Sequence, residues 1–168
     1  MQGSGAFEVA SSLEGDAQRS TRRDTSRSNA TSTIVLVEVS GRSVLLTGDA
    51  PAPQLARGLA RMCAERGVER LPIDLFVVPH NGSAANLDDV VLSLVDVDLF
   101  AICTDGSRFH HPDSATIELI ARSHPDARIV FNYRSETTER YAEQQVQREL
   151  GIRVTFPDAD SGVEVSLD

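Results

Sequence analysis

The sequence predicts an α/β fold with a mixed sheet, and three observations carry that reading. Apolar runs of strand length recur, as in "DLFVVP", "LFAICT" and "ARIVFNY". Stretches with apolar residues at helical spacing lie between them, the alternation of an α/β layer. A hairpin comes before all of these, so the sheet is mixed rather than purely parallel.

The elements follow in chain order. Residues 1–30 are rich in Ser, Gly, Arg and Asp, and only Phe7, Val9 and Leu13 could anchor in a core. That composition predicts a flexible arm or long loop, with the domain over 31–168. "STIVLVEVSGRSVLLTGD" predicts two strands around a turn at Ser40, Gly41 and Arg42. "APQLARGLARMCAERGV" sets Leu55, Leu59, Met62 and Cys63 on one helix face, with Gly67 as its stop. After the strand "IDLFVVP", Leu87, Val90, Val91 and Leu94 recur at helical spacing. "HPDSATIELIARSHP" opens with Pro112 and Asp113 near a helix start and aligns Ile117, Ile120 and Ala121. "TTERYAEQQVQREL" predicts a polar helix resting on Tyr141, Val146 and Leu150. "IRVTFP" and "GVEVSL" are predicted as closing strands, the last at an edge.

Composition narrows the function classes. The 168 residues fit one domain, and 40% of them are hydrophobic, enough for a core. The formal charge of −9 argues against a broad surface for a phosphate backbone. Every basic residue is Arg, which excludes a Lys nucleophile, a Schiff base and a P-loop lysine. Cys63 and Cys103 are expected as buried, reduced thiols, and no CxxC pair points to a cysteine-rich zinc site. There is no apolar run of about 20 residues for a membrane span and no signal-peptide core, so no membrane association and a cytoplasmic location are expected.

Candidate chemistry gathers where apolar strands end. Asp49 ends "LLTGD" ahead of a Pro-containing turn, at the rim where open α/β sheets bind ligands. Taken alone, it reads as readily as the N-cap of the following helix. His80 ends "LFVVPH" on a tight loop shaped by Pro79 and Gly82, and imidazole is the commonest protein metal ligand. A hydrogen-bonding loop histidine is the plainer alternative. "TDGSRFHHPD" follows a third strand and holds His110 and His111, of which at most one is expected to face a shared site. His124 sits at a helix end, where a cation suits the helix dipole. Ser83 and Ser107 lie outside any GxSxG elbow, which argues against a serine hydrolase.

Taken together, "SNATSTIVLVEVSGRSVLLTGDA", "DLFVVPHNGSAANLDDVVLSL", "TDGSRFHHPD" and "IVFNY" resemble the C-terminal half of the metallo-β-lactamase fold, a family of metal-dependent hydrolases. The resemblance covers about residues 24–168 and is closest to the branch with the hydrolase domain of DNA-uptake competence proteins. It implies half of an αββα sandwich, a mixed sheet with helices on one face. It implies a two-metal site, usually zinc with manganese as an alternative, in which Asp49 bridges the metals and His80 ligates the second. His111, ahead of His110, would lie near the substrate. The implied reaction is attack of a metal-bound hydroxide on a phosphoester or acyl centre.

The chain departs from that family in its ligands. All four histidines lie at position 80 or later, so the HxHxDH motif of the family's N-terminal half is absent. Asn81 stands where the family often has a second histidine. Metal binding by this chain alone is therefore expected to be weak or absent, and the chain incomplete as a catalyst. One sheet face is expected to need cover from the missing N-terminal half, a partner chain or a second copy. The alternative is a non-catalytic half-domain serving as a binding or assembly module. Nucleic acid stays open as a partner, since the acidic charge and the resembling branch point in opposite directions.

Overall fold

The computed structural model describes residues 23–158 and 162–167. β1 (Val35–Val39) and β2 (Arg42–Leu46) form the predicted hairpin, with Val39 opposite Arg42. Ser40 and Gly41 turn the chain with φ of 53° and 79°, the positive values that match the twist of a two-residue hairpin. α1 (Ala52–Arg66) buries Ala52, Leu55, Leu59 and Cys63, and Gly67 ends it in the left-handed conformation. The predicted spacing and stop are thus both found.

The remaining elements alternate. β3 (Leu71–Pro72), β4 (Leu75–Val77), α2 (Asp89–Ser93), β5 (Val95–Asp96) and β6 (Leu99–Ile102) lead to α3 (Ser114–Ser123). β7 (Arg128–Phe131), α4 (Gln144–Leu150) and β8 (Arg153–Thr155) complete the order. The main sheet has six strands in the order β1-β2-β4-β6-β7-β8, and β3 pairs with β5 in a separate ribbon. Only β1 runs antiparallel; every later neighbour in the main sheet is parallel.

Each crossover after the hairpin steps to the next strand in one direction. Right-handed crossovers that never reverse direction place their helices on one face. The core agrees: Leu55, Leu59, Val91, Ile117 and Ile120 from the helices join Leu45, Phe76, Phe100, Ile129 and Phe131 from the strands in one cluster. The α/β class, the mixed sheet and the one-sided helices match the sequence expectation.

The alternation that buries Phe76, Phe100 and Ile129 turns their neighbours to the opposite face. That face is apolar too, carrying Val35, Val37, Val44, Leu46, Leu75, Val77, Leu99, Ala101 and Val130. Its exposure is uneven. Val35, Val37 and Leu46 are 40%, 39% and 42% exposed, whereas Leu99, Ala101 and Val130 are buried. The open part of the second face is therefore its β1–β2 end, narrower than the whole face expected from the sequence.

Four local expectations change. The helical spacing from Leu87 to Leu94 yields only the short α2, because Val95 and Asp96 pair with β3. The polar helix breaks into a 3-10 turn, Glu139–Ala142, and α4, with Glu143 extended between them. Buried Tyr141 stacks on Phe131 at 5.7 Å and holds that turn to the core. Residues 162–167, within the predicted last strand, adopt none. Cys63 is buried as expected, but Cys103 is exposed just past the end of β6.

The two faces should respond differently to truncation. Phe76→Ala is expected to cost about 3–5 kcal/mol, the usual range for a fully buried aromatic. Val37→Ala is expected to cost less than about 1 kcal/mol. Urea denaturation of both variants measures this, and equal losses would show that the β1–β2 end of the second face is covered.

Candidate functional site

Parallel strands point their C-terminal ends to the same rim, and the site is assembled there from β2, β4 and β6. Past β2, the Thr47 hydroxyl donates to the Val77 carbonyl at 2.7 Å and ties the first strand end to the second. Gly48 and Asp49 follow. The N-cap of α1 is Pro51, so Asp49 does not cap that helix. The Asp49 N–H donates to Ser32 Oγ at 3.2 Å, and its exposed carboxylate has no hydrogen-bond or ionic partner among the described residues.

Past β4, the chain makes an unusual turn. His80 and Asn81 both have positive φ, 47° and 58°, and Gly82 follows at 87°. Left-handed backbone is uncommon for residues other than glycine and costs free energy. The His80 N–H donates to the Gly48 carbonyl at 2.9 Å, which sets the Asp49 and His80 loops side by side. Gly82 has a second requirement: a Cβ there would lie 2.6 Å from Pro112 Cβ. Asp113 N–H and Thr116 Oγ1 both donate to the Gly82 carbonyl, at 3.0 and 2.7 Å. The loop after β4 is thereby locked to the start of α3.

That lock brings His111 to His80. Their rings meet edge to face, with centroids 5.6 Å apart. His111 Nδ1 lies 3.1 Å from Asp113 Oδ1, and the other Asp113 oxygen accepts from the Ala84 N–H at 2.8 Å. Asp113 is the N-cap of α3 by position, as the sequence predicts, but its carboxylate serves this loop rather than a helix N–H. Burial pushes the Asp113 carboxyl up, yet the His111 ring, the Ala84 N–H and the His80 ring more than offset this, and it titrates below its ordinary value. His110, exposed and at φ 57°, is the outward member of the pair.

Two site residues escape the sequence reading. Asn86, fully buried, lies with Oδ1 3.0 Å from His80 Nδ1. Asp24, with its side chain only 9% exposed, accepts from Asn86 Nδ2 at 2.8 Å, Asn29 Nδ2 at 2.7 Å and the Ser26 N–H at 2.8 Å. Asp24 and Asn29 fall in the stretch expected as an arm; residues 1–22 of that stretch lie outside the described residues. Only the polar run around Asp24 and the Asn at the end of "HNGSAAN" could have signalled them, and neither pattern is specific. Burial pushes the Asp24 carboxyl up, but the bonds from Asn29, Ser26 and Asn86, with His80 nearby, bring it below its ordinary value.

The third predicted loop contributes its His111, while its Asp105 bonds locally to Ser107 at 2.9 Å. His124 is buried against Phe100, with ring centroids 5.4 Å apart. Burial lowers its pKa, which corrects the expectation of a cation facing the helix dipole.

The fit of a metal can be tested on the donors themselves. His80 Nε2 has no hydrogen-bond partner among the described residues, nor does the Asp49 carboxylate, so both are free to ligate. A catalytic zinc takes three protein ligands and a water. Among the described residues, no group of three or more His, Cys, Asp or Glu side chains is placed to hold a metal ion. Asp49 and His80 alone therefore do not make up such a ligand set. No helix among the described residues is long and apolar enough to cross a membrane. No family model matches this chain, and no curated protein or solved structure matches it either.

Asp24→Asn should report on the network. At neutral pH it is expected to cost about 1–3 kcal/mol, the range for an unsatisfied buried group. The folded carboxyl value lies below the unfolded value of about 3.9, so its contribution is complete above that value and lost as pH falls through the folded one. The stability gap between wild type and Asp24→Asn, measured in urea, should narrow below about pH 4. A gap that widens on acidification would contradict the placement of Asp24.

Proposed function

We propose that this chain is the C-terminal portion of a metal-dependent hydrolase of the metallo-β-lactamase type, incomplete as a catalyst by itself. One observation carries the reading. Adjacent strand ends present a carboxylate, Asp49, and an imidazole Nε2, His80, that have no partner among the described residues, and the His111 ring packs on the second. Their order along the chain is that of the resembling family.

In the complete site Asp49 and His80 would hold zinc, or manganese, together with ligands from a further polypeptide segment or subunit. The metal would supply Lewis acidity and an activated water for hydrolysis of a phosphoester or acyl bond. This chain's own contribution is placement. Asp113 accepts from His111 Nδ1, which leaves the lone pair on Nε2. His111 Nε2 could then take or return a proton beside the substrate. The side chain of His111 is 13% exposed, so little of the ring is open to solvent. The β1–β2 end of the second face, with Val35, Val37 and Leu46 uncovered, suits docking of the segment that brings the remaining ligands.

The same apolar end favours a second reading, a non-catalytic half-domain that serves assembly. Metal response separates the two. Zinc or manganese is expected to raise the melting temperature of the wild-type chain by an amount that grows with metal concentration. Asp49→Ala and His80→Ala are each expected to abolish most of that rise. A wild-type chain whose melting temperature ignores both metals would sink the hydrolase reading for this chain and leave the assembly reading.

A further inference from the structure

We infer that Asn86 is a positioning residue for His80, fixing its ring as the Nδ1–H tautomer so that Nε2 carries the lone pair. The use of that lone pair by a metal rests on the proposed function; the tautomer itself does not.

The argument begins with the orientation of the Asn86 amide. One end of the amide faces Asp24 Oδ2 at 2.8 Å, the Asp49 carbonyl at 3.1 Å and the Ala50 carbonyl at 3.4 Å. A carboxylate and two carbonyls can only accept, so the end that faces them must be the NH2 group. The Asn86 oxygen therefore faces the other way, toward His80 Nδ1 at 3.0 Å. An amide oxygen only accepts, so Nδ1 must carry the hydrogen. A neutral imidazole has one N–H, and the lone pair is left on Nε2.

One contact opposes this. Asn29 Nδ2 lies 3.4 Å from the same His80 Nδ1, and as a donor it would require Nδ1 to be bare. That contact, at 3.4 Å, is longer than the 3.0 Å approach of Asn86 and lies at the outer limit of a hydrogen bond. A bare Nδ1 would also leave the oxygen of fully buried Asn86 facing a lone pair. Asn86 prevails on both counts.

The backbone supports the same role. His80 at φ 47° and ψ 47° is held by its N–H to Gly48 and by its ring to Asn86, so the loop is clamped from both ends. Asn86 also joins the two predicted ligand loops directly, because its NH2 bonds to the Asp49 carbonyl. A hydrogen bond on the far nitrogen is the usual means by which a ligating histidine is held in one tautomer and one orientation.

The test is spectroscopic and needs no metal. Two-bond proton–nitrogen correlations on the 15N-labelled full chain, at a pH well above the imidazole range, report the tautomer of His80. The Nδ1–H pattern is expected in the wild type, and the Nε2–H pattern there would overturn the inference. Asn29→Ala is expected to leave the Nδ1–H pattern intact, and its loss in that variant would equally overturn it. Asn86→Leu, if it folds, should lose the pattern; a folded Asn86→Leu that keeps it would show that Asn86 does not set the tautomer. Should Asn86→Leu fail to fold, Asn86→Asp, which keeps an accepting oxygen, is expected to keep the Nδ1–H pattern, and its loss there would overturn the role of Asn86. A chain with His80 in the Nδ1–H form that takes up no zinc would uphold this inference while sinking the hydrolase reading for this chain.

Discussion

The fold depends on one topological constraint: after the hairpin, each crossover advances one strand in the same direction. The helices are thereby gathered on one face, and their apolar sides meet Phe76, Phe100 and Phe131 in a single cluster. The strand order never reverses, so the sheet has no switch-point crevice of the doubly wound kind. Ligand chemistry must be built from the loops at the rim. The same order leaves the second sheet face without helices, and its apolar residues are most exposed at the hairpin end.

The rim is organised by buried polar groups rather than by the core. Asn86 and Asp24 are removed from water and must find partners in the protein. They find them in each other, in Asn29, in His80 and in the carbonyl of Asp49. Gly82 joins this cluster to α3, because Pro112 occupies the space a side chain would need. Local backbone, buried amide and helix start are thus one unit.

What the sequence made legible follows from which forces are local. The hairpin, α1 and the buried strands declare themselves in apolar period and turn residues, and they lie where expected. Asp49, His80 and His111 could be singled out as candidates because the first two follow strand ends and the third precedes a proline in a loop after another strand. The structure sets the first two loops side by side and packs the third residue on the second. Asn86 and Asp24 were not legible, since their partners are 6 and 62 residues away in the chain, respectively His80 for Asn86 and Asn86 for Asp24. The break in the polar helix was hidden for a similar reason. Tyr141 looks like a helix-face residue in sequence, and its stacking on Phe131 is a tertiary contact.

The turn at His80 bears on whether this rim is a site or only a reversal of the chain. A chain reversal can be made with Gly, Asn or Asp in the left-handed region at little cost. Here a histidine takes that region beside Asn81, and the strain persists because a buried amide and a backbone carbonyl over-determine it. A loop that merely connected β4 to α2 would have no need to bury Asn86 completely or to draw Asp24 from the chain's first described residues. The polar network leaves His80 Nε2 and the Asp49 carboxylate unpaired among the described residues. The hydrogen bonds at this rim thus hold one ring nitrogen of His80 and leave the opposite one without a partner among the described residues, which is the arrangement the proposed metal site would need.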